Sequence, residues 1–114
     1  MVQIKEISAF ELSQLLKSTN HIELINIRTP VKIERGIISG AKALLMHLIP
    51  LKLNYFSTAQ KEIIIYCRTG SRSAQVCRFL NQHGLNNAIS LRGGILQWTS
   101  SGLRMAFEAP KTIA

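Results

Sequence analysis

The amino-acid sequence predicts a small α/β domain built around a mostly parallel β-sheet. The clearest strand is the apolar run at 61–67, whose unbroken Ile-Ile-Ile-Tyr stretch is typical of a strand buried on both faces. Apolar residues at helical spacing follow at 71–83, and short β-favouring runs at 21–27 and 87–91 predict two more strands. Strands that alternate with helices in a chain of this length indicate a parallel sheet, because the helices connect one strand to the next.

A helix is predicted to begin near Ser8, ahead of the strand at 21–27. Ser8 and Glu11 have the spacing of a capping box, in which each side chain accepts a hydrogen bond from the other residue's backbone N–H. The apolar face of this helix is supplied by Phe10, Leu12, Leu15 and Leu16.

The middle of the chain is predicted to be less regular. A proline and two glycines favour a loop across 28–41. A second buried strand is predicted at 42–46, and Pro50 begins or interrupts a short helical segment at 49–57.

The C-terminal half is predicted to contain two helices separated by the strand at 87–91. In the first helix Ala74, Cys77 and Leu80 recur on one face, and Gly84 is a natural stop signal. A loop and a short second helix are predicted at 93–102.

The whole chain, 1–114, is predicted to form a single domain. Its length is near the commonest domain size, and it contains no internal repeat, low-complexity tract or linker. The core is expected to span about 5–102, and no element is assigned to the tail from 103 onward.

The composition argues against a membrane, secreted or nucleic-acid-binding protein. No stretch approaches the ~18 consecutive apolar residues of a membrane span, and the N-terminal sequence does not have the pattern of a secretory signal, so a cytoplasmic location is expected. The net charge is +8, from 14 Lys and Arg against 6 acidic residues, all of them Glu. Because the basic residues are spread from Lys5 to Lys111 without a cluster, we expect no nucleic-acid partner.

The cysteines and histidines do not form a metal-binding pattern. Cys67 and Cys77 make neither a C-x-x-C pair nor a Cys/His ligand set, and the histidines are scattered. A reducing cytoplasm would keep both cysteines as thiols. We therefore expect no metal ion, no disulfide framework and no organic cofactor.

Cys67 stands where the predicted strand ends and the next helix is about to begin. In an α/β protein the N–H groups of such a loop and of the first helical turn point at a common centre, where the helix dipole favours an anion. Gly70 permits a tight loop, and Arg68 and Arg72 add charged donors suited to an oxyanion. The N–H donors and the arginines should lower the pKa of Cys67, so that it reacts as a thiolate.

Cys77 and Trp98 are predicted to be core residues. Cys77 shares a helical stripe with Ala74 and Leu80, which favours a packed core thiol over the alternative of a resolving cysteine. Trp98 follows a Gly-Gly pair in a short helix, where packing in the core is favoured over a place in a pocket wall.

The segment from Tyr66 to Trp98 resembles a single-domain rhodanese, a member of the thiosulfate sulfurtransferase family. The resemblance rests on the strand-end cysteine with its loop Cys-Arg-Thr-Gly-Ser-Arg-Ser-Ala at 67–74, on Gly84, and on the Gly-Gly pair at 93–94.

Upstream segments extend this resemblance over about 5–102. Glu-Leu-Ile-Asn-Ile-Arg-Thr-Pro at 23–30 and Gly-Ile-Ile-Ser-Gly-Ala at 36–41 are degenerate versions of two further family segments. The resemblance implies a rhodanese-like fold, with a small, mostly parallel five-stranded sheet flanked by helices on both faces.

The resemblance also implies sulfur transfer in two half-reactions. The thiolate of Cys67 would attack the outer sulfur of thiosulfate, releasing sulfite and leaving a cysteine persulfide. Cyanide or a thiol would then take that sulfur. The implied partners are a small anionic sulfur donor and a thiol or protein acceptor, and the oligomeric state is left open.

The implied site consists of a nucleophile and a binding loop. Arg68 and Arg72 would hold the dianionic donor, and the loop N–H groups would cradle the terminal sulfur. Ser71 and Ser73 would contribute hydroxyls or cap the helix, and both interpretations stay open. The full set is Cys67 as the catalytic residue, Arg68, Thr69, Gly70, Ser71, Arg72 and Ser73 as substrate-binding residues, and Arg28 as a supporting residue.

The upstream segments depart from the family pattern. At four positions the family usually has Asp, Glu, His and Pro, where this chain has Asn26, Lys32, Ile37 and Ser39. In the family, the acids pair with the arginine that corresponds to Arg28, so Arg28 is expected to turn to Glu34 or to solvent here. Because none of these positions supplies the nucleophile, we expect altered stability or substrate access rather than lost chemistry.

A cysteine phosphatase or arsenate reductase is an alternative that uses a similar thiolate loop. Those enzymes have the motif Cys-x5-Arg, whereas the loop from Cys67 to Arg72 is Cys-x4-Arg. Protein phosphatases also commonly use an aspartic acid as general acid, and this chain has no aspartate. The sequence therefore favours sulfur transfer.

A second alternative is a non-catalytic or regulatory rhodanese module that binds a partner protein. The upstream departures favour it, whereas the presence of Cys67 with both loop arginines argues against it. A persulfide carrier that serves a partner protein lies between these options and would use the same residues.

Overall fold

The described residues form a five-stranded β-sheet. The structure is a computed structural model that describes residues 3–18, 21–29 and 36–113. The strands are β1 (Lys5–Ile7), β2 (Ile22–Asn26), β3 (Lys42–Ala43), β4 (Glu62–Tyr66) and β5 (Ala88–Leu91). The strand order is β1-β5-β4-β2-β3, and all four pairings are parallel. The predicted parallel sheet is therefore confirmed.

Helices cover both faces of this sheet. They are α1 (Ala9–Ser18), a 3-10 helix (Met46–Lys52), α2 (Leu53–Thr58), α3 (Ser71–Gln82) and α4 (Gly94–Ser100). The 3-10 helix, α2 and α3 contribute to one core cluster, whereas α1 and α4 contribute to the other. The predicted architecture of helices on two faces is confirmed.

The central strand β4 explains the unbroken apolar run in the sequence. Ile63 and Ile65 pack in the cluster with α3, whereas Ile64 and Tyr66 pack in the cluster with α1, and all four side chains are fully buried. Successive side chains of a strand point to opposite faces, so a strand covered on both sides needs apolar residues at every position.

The N-terminal helix begins as predicted. The backbone N–H of Ser8 donates to Glu11 Oε1 at 3.0 Å, and the N–H of Glu11 donates to Ser8 Oγ at 3.1 Å. Strand β1, which pairs with β5 at the sheet edge, is not predicted by the sequence. Its three residues are largely exposed and carry no alternating apolar pattern.

The strand predicted at 42–46 is shorter than expected, since β3 contains only Lys42 and Ala43. The N–H of Leu44 still donates to the carbonyl of Asn26 at 3.1 Å, but the chain then turns into the 3-10 helix. Pro50 lies inside that helix, in agreement with a helical segment that a proline interrupts.

The C-terminal tail, which the sequence leaves unassigned, packs along the β3 edge. The N–H of Ala43 donates to the carbonyl of Lys111 at 2.7 Å, and the N–H of Ile113 donates back to the carbonyl of Ala43 at 3.0 Å. Ile37 and Ala106 form a further antiparallel bridge. These contacts cover an edge that would otherwise present unpaired backbone groups.

Trp98 is a core residue, as predicted. It is 5% exposed within the α1–α4 cluster, and its indole N–H donates to the carbonyl of Arg104 at 3.0 Å. None of the described helices has the length and apolar character needed to cross a bilayer.

Candidate active site

Cys67 follows β4 directly, and α4 holds the start of the loop behind it. The N–H of Ile95 donates to the carbonyl of Cys67, and the N–H of Leu96 donates to that of Arg68, both at 3.0 Å. The first turn of α4 therefore uses its free N–H groups to position the loop backbone. This contact explains why the Gly-Gly pair at 93–94 accompanies the cysteine loop in the sequence.

The loop curls around the sulfur atom of Cys67. Gly70 adopts φ +98°, a conformation that L side chains rarely adopt, and its N–H donates to Cys67 Sγ at 3.1 Å. The N–H of Ser73, in the first turn of α3, donates to the same sulfur at 3.4 Å. The sulfur lies 3.7 Å from Ser73 Oγ. Strand end, loop and helix start thus converge on one atom, as the sequence predicts.

The pKa of the Cys67 thiol is lowered. Burial acts to raise it and is the largest single influence, but hydrogen bonds from Ser73, through both its N–H and its hydroxyl, and from the N–H groups of Gly70 and Thr69 outweigh it. The predicted lowering is therefore present, and its leading causes are the hydrogen-bond donors of the loop. Thr69, predicted as a substrate-binding residue, contributes its N–H to this lowering.

A pocket of about 270 Å³ opens onto Cys67. Arg68 and Arg72 from the loop and α3 line it together with Arg28, which follows β2. The pocket is lined by Ile27, Arg28, Thr29, Cys67, Arg68 and Arg72. Two separate segments of the chain thus bring positive charge to one cavity, which suits a small anion.

The hydroxyls of Ser71 and Ser73, both predicted to belong to the site, lie in different environments. Gly70 is the N-cap residue of α3, and no side chain caps the helix, so the capping interpretation of Ser71 and Ser73 is wrong. Ser71 is exposed, with its hydroxyl 3.4 Å from that of Thr69. Ser73 is fully buried and contacts Cys67.

Asn26 occupies the position where the family usually has aspartate. Its side chain is fully buried, and its Oδ1 accepts a hydrogen bond from the N–H of Arg28 at 2.9 Å. The guanidinium of Arg28 donates from Nη1 to the carbonyl of Gly36 at 3.1 Å. An amide therefore supplies the acceptor that orders the start of the Arg28 turn. Lys32 and Glu34, which the sequence also raised as neighbours of Arg28, lie outside the described residues.

The other two departures, Ile37 and Ser39, are accommodated by contacts with the C-terminal tail. Ile37 is 1% exposed and bridges to Ala106, so it is part of the packing beneath the tail. The hydroxyl of Ser39 donates to Glu108 Oε1 at 3.0 Å. Both positions connect the segment after Arg28 to the C-terminal tail.

Two buried polar residues, Tyr66 and Ser90, lie beside the site although the sequence does not predict this. Tyr66 accepts a hydrogen bond at its hydroxyl from the N–H of Ile38 at 3.1 Å, and burial raises its pKa to about 12. Ser90 on β5 is fully buried, with its hydroxyl 2.7 Å from that of Ser73. Only the strand register, in which Ser90 pairs with Ile65, places Ser90 beside the cysteine loop.

Cys77 is separate from this chemistry. It is fully buried in the cluster with α3, and burial raises its pKa to about 12. The prediction of a packed core thiol is confirmed. Among the residues that the structure describes, no group of His, Cys and Glu side chains is arranged to hold a metal ion.

The fold and the site together define a class of small α/β proteins that hold an acidified cysteine in an N–H-lined loop at the end of a central parallel strand. Comparison with protein families gives the family within that class. The sequence model of the rhodanese-like domain matches residues 8–101, and the chain belongs to this family.

Relatives of known sequence agree with this assignment. The chain is 42% identical over 100 residues to a sulfurtransferase of Allochromatium vinosum, covering 88% of this chain and 92% of that protein. It is 31% identical over 97 residues to the putative sulfurtransferase YtwF of Bacillus subtilis, covering 85% and 92%. These relatives support a transferase role of the rhodanese type.

A solved structure agrees with the fold. The rhodanese-related protein of Thermoplasma volcanium matches with a TM-score of 0.80 at 26% identity, covering 91% of this chain and 99% of that one. The two proteins therefore share one architecture over nearly their whole lengths.

Proposed function

We propose that the protein transfers a sulfane sulfur from thiosulfate, or from a related persulfide donor, to a thiophilic acceptor through a persulfide on Cys67. The observation that carries the proposal is the environment of the Cys67 sulfur. It accepts hydrogen bonds from the N–H groups of Gly70 and Ser73, and it lies in a pocket lined by three arginines. These features suit both a thiolate nucleophile and an anionic donor.

In the first half-reaction, the Cys67 thiolate attacks the outer sulfur of thiosulfate. A new S–S bond forms to Cys67, the S–S bond of thiosulfate breaks, and its electron pair leaves with sulfite. The product is a cysteine persulfide that carries the negative charge on its terminal sulfur. In this proposal Arg68 and Arg72, which line the pocket, bind the sulfonate oxygens of the donor and compensate their negative charge.

In the second half-reaction, a thiophilic anion attacks the terminal sulfur. Cyanide leaves as thiocyanate, or a thiolate leaves as a persulfide, and the Cys67 thiolate is regenerated in either case. The same N–H groups that stabilise the thiolate favour it as the leaving group. We also propose that the acceptor in the cell is a thiol or a protein, and that the protein acts in the cytoplasm.

The rival functions fit the site less well. The loop from Cys67 to Arg72 is one residue shorter than the Cys-x5-Arg loop of cysteine phosphatases. A purely partner-binding module would not need a lowered cysteine pKa, whereas the loop here directs several donors at Cys67. A persulfide carrier that hands its sulfur to a partner protein is the variant of the proposal that differs only in the acceptor.

The test is intact mass spectrometry of the protein after incubation with thiosulfate. We expect a mass gain of one sulfur atom that cyanide reverses. Cys67→Ser should not gain this mass, and Cys77→Ser is the matched control that should still gain it. A folded protein that gains no sulfur from thiosulfate or from a persulfide donor would contradict the proposal.

A further inference from the structure

Ser73 and Ser90 form a buried hydroxyl pair behind the Cys67 loop. Both residues are fully buried, and their Oγ atoms lie 2.7 Å apart. Ser73 belongs to the first turn of α3, whereas Ser90 belongs to β5, the strand beside β4. The pair thus connects two elements, α3 and β5, behind the cysteine loop.

The hydroxyl of Ser73 has more partners than it has protons. It lies 3.1 Å from the carbonyl oxygen of Gly70, 3.7 Å from Cys67 Sγ and 2.7 Å from Ser90 Oγ. A serine hydroxyl donates one hydrogen bond and accepts up to two. The direction of the bond between the two serines therefore decides what Ser73 can do for the sulfur.

The direction follows from the surroundings of Ser90. Within the described ranges 3–18, 21–29 and 36–113, the hydroxyl of Ser73 is the one hydrogen-bond partner of the Ser90 side chain. If Ser73 donated to Ser90, the buried Ser90 proton would have no acceptor, whereas the carbonyl of Gly70 also accepts from the N–H of Ala74 at 3.0 Å and is satisfied in either case. Buried hydroxyls are normally satisfied, so Ser90 donates to Ser73.

This arrangement satisfies both protonation states of the cysteine. With a neutral thiol, Cys67 and Ser90 both donate to Ser73 Oγ, while Ser73 donates to the carbonyl of Gly70. When the thiol ionises, its proton leaves, and the Ser73 proton can turn toward the thiolate. The hydrogen bond from Ser90 to Ser73 Oγ is present both with the thiol and with the thiolate.

We propose that Ser90 is a positioning residue for the nucleophile, which keeps the Ser73 proton directed at Gly70 or at the Cys67 sulfur and away from β5. This inference rests on the proposed function of Cys67 as the nucleophile. Ser90 does not touch the substrate pocket and acts only through Ser73. Replacing it by alanine would remove the hydrogen bond donated to Ser73 Oγ. Because that bond polarises the Ser73 hydroxyl, its loss would weaken the hydrogen bond from Ser73 to the thiolate.

The ionisable groups around Cys67 do not interfere with a measurement of the ionisation of its thiol. The pocket presents three guanidinium groups, those of Arg28, Arg68 and Arg72. The strand β5 (Ala-Ile-Ser-Leu) and the helix α4 (Gly-Ile-Leu-Gln-Trp-Thr-Ser) carry no charged residue. Tyr66, next to Cys67, has a pKa raised by burial to about 12. A pH profile between about 5 and about 10 therefore reports the thiol itself.

The experiment measures the rate of Cys67 alkylation by iodoacetamide as a function of pH, followed by peptide mass spectrometry. Alkylation needs a thiolate but no sulfur transfer, so its result is independent of the thiosulfate test. The variants are Ser90→Ala, Ser73→Ala and the double substitution. Ser13→Ala is the matched control, because Ser13 is also buried and its hydroxyl donates to a carbonyl of its own helix turn, that of Phe10, at 2.7 Å.

We expect Ser90→Ala to raise the alkylation midpoint by about half to one pH unit, since it weakens a hydrogen bond to the charged form. Ser73→Ala should raise it at least as much, and adding Ser90→Ala to Ser73→Ala should change nothing further. Ser13→Ala should keep the native midpoint. Ser90→Val, which fills the site but cannot donate, should behave as Ser90→Ala and serves if the alanine variant unfolds.

Two results would overturn the inference. One is a native midpoint in the folded Ser90→Ala or Ser90→Val protein. The other is an undiminished Ser90→Ala shift in the Ser73→Ala background, since Ser90 would then act on Cys67 by another route.

Discussion

The carbonyl oxygen of Arg68 lies 2.4 Å from the position that a β-carbon on Gly94 would occupy. The carbonyl oxygen of Cys67 lies 2.6 Å from the same position, and both atoms belong to backbone that α4 holds through hydrogen bonds. Real β-carbons essentially never approach backbone oxygen so closely. Gly94 is therefore what allows the start of α4 to lie against the cysteine loop.

Substitution of Gly94 should accordingly destabilise the protein. We expect Gly94→Ala, at φ +59° and with backbone in the way, to lower the free energy of unfolding by about 2–4 kcal/mol. Urea denaturation would measure this loss. Gly84→Ala is the matched control, since Gly84 also has a positive φ, +77°, but nothing lies within 4 Å of the position that its β-carbon would take, and about 1–2 kcal/mol is expected. Equal losses in the two variants would contradict the packing argument.

Arg72 should affect donor binding but not the ionisation of Cys67. We expect Arg72→Gln to raise the KM for thiosulfate roughly 10- to 100-fold, because it removes a charged hydrogen-bond donor from the pocket. The midpoint of Cys67 alkylation should stay below the ordinary thiol value of about 8.5 and change little, since loop dipoles lower this pKa. Steady-state kinetics and alkylation profiles measure the two effects.

Arg78→Gln is the control for that experiment, since Arg78 is an exposed residue of α3 that does not line the pocket. It should leave both the KM and the midpoint near their native values. A large upward shift of the midpoint in Arg72→Gln would mean that arginine charge, rather than the loop N–H groups, acidifies the cysteine.

The stability of the protein should depend on an acceptor oxygen in the side chain at position 26. In Asn26→Ala the N–H of Arg28 loses its buried acceptor, so we expect a loss of about 1–3 kcal/mol in the free energy of unfolding. Asn26→Asp keeps an acceptor oxygen and places a carboxylate near Arg28, so it should lose clearly less. Urea denaturation of both variants decides the matter, and an alanine variant as stable as the native protein would refute the role of Oδ1.

The protein should become less stable at alkaline pH. Burial raises the pKa of both Cys77 and Tyr66 to about 12, whereas the unfolded chain releases these protons near about pH 8.5 and 10. Their contribution is complete below the unfolded values and is lost as the pH rises toward the folded ones. For Cys77 alone, we expect a loss of about 2–3 kcal/mol between about pH 8 and 10.5 in urea denaturation.

Cys77→Ala isolates this contribution. The substitution has its own packing cost, which is measured at about pH 7, and the comparison concerns only the further change with pH. The variant should lose stability more gradually above about pH 8.5, with the Tyr66 contribution remaining. An unchanged pH dependence would show that Cys77 does not contribute to it.

The elements that the sequence predicts well are those with strong local signals. The run at 61–67 is apolar throughout because β4 is covered on both faces, and the capping box of Ser8 and Glu11 forms as its spacing indicates. The cysteine loop is likewise local, since Cys67, Gly70 and Ser73 lie within one strand-to-helix turn. In each case the residues that interact are close in the chain.

The features that the sequence misses depend on distant partners. Strand β1 is formed by pairing with β5, and the tail is ordered by bonds to Ala43 and Ile37. Ser90 reaches the cysteine loop because β5 pairs with β4. None of these contacts leaves a periodic pattern in its own segment, because each is created by a partner elsewhere in the chain.

By itself, the sequence determined that a thiol ends a buried central strand in a tight, arginine-bearing loop, and this defined the class of chemistry. Only the tertiary structure decided which groups chiefly lower the pKa of that thiol, namely the N–H groups of the loop and the Ser73 hydroxyl. It also decided that Ser90 lies behind Ser73. The physical reason is that hydrogen bonds act over about 3 Å, so their effect on Cys67 depends on packing between strands and helices that local sequence does not encode.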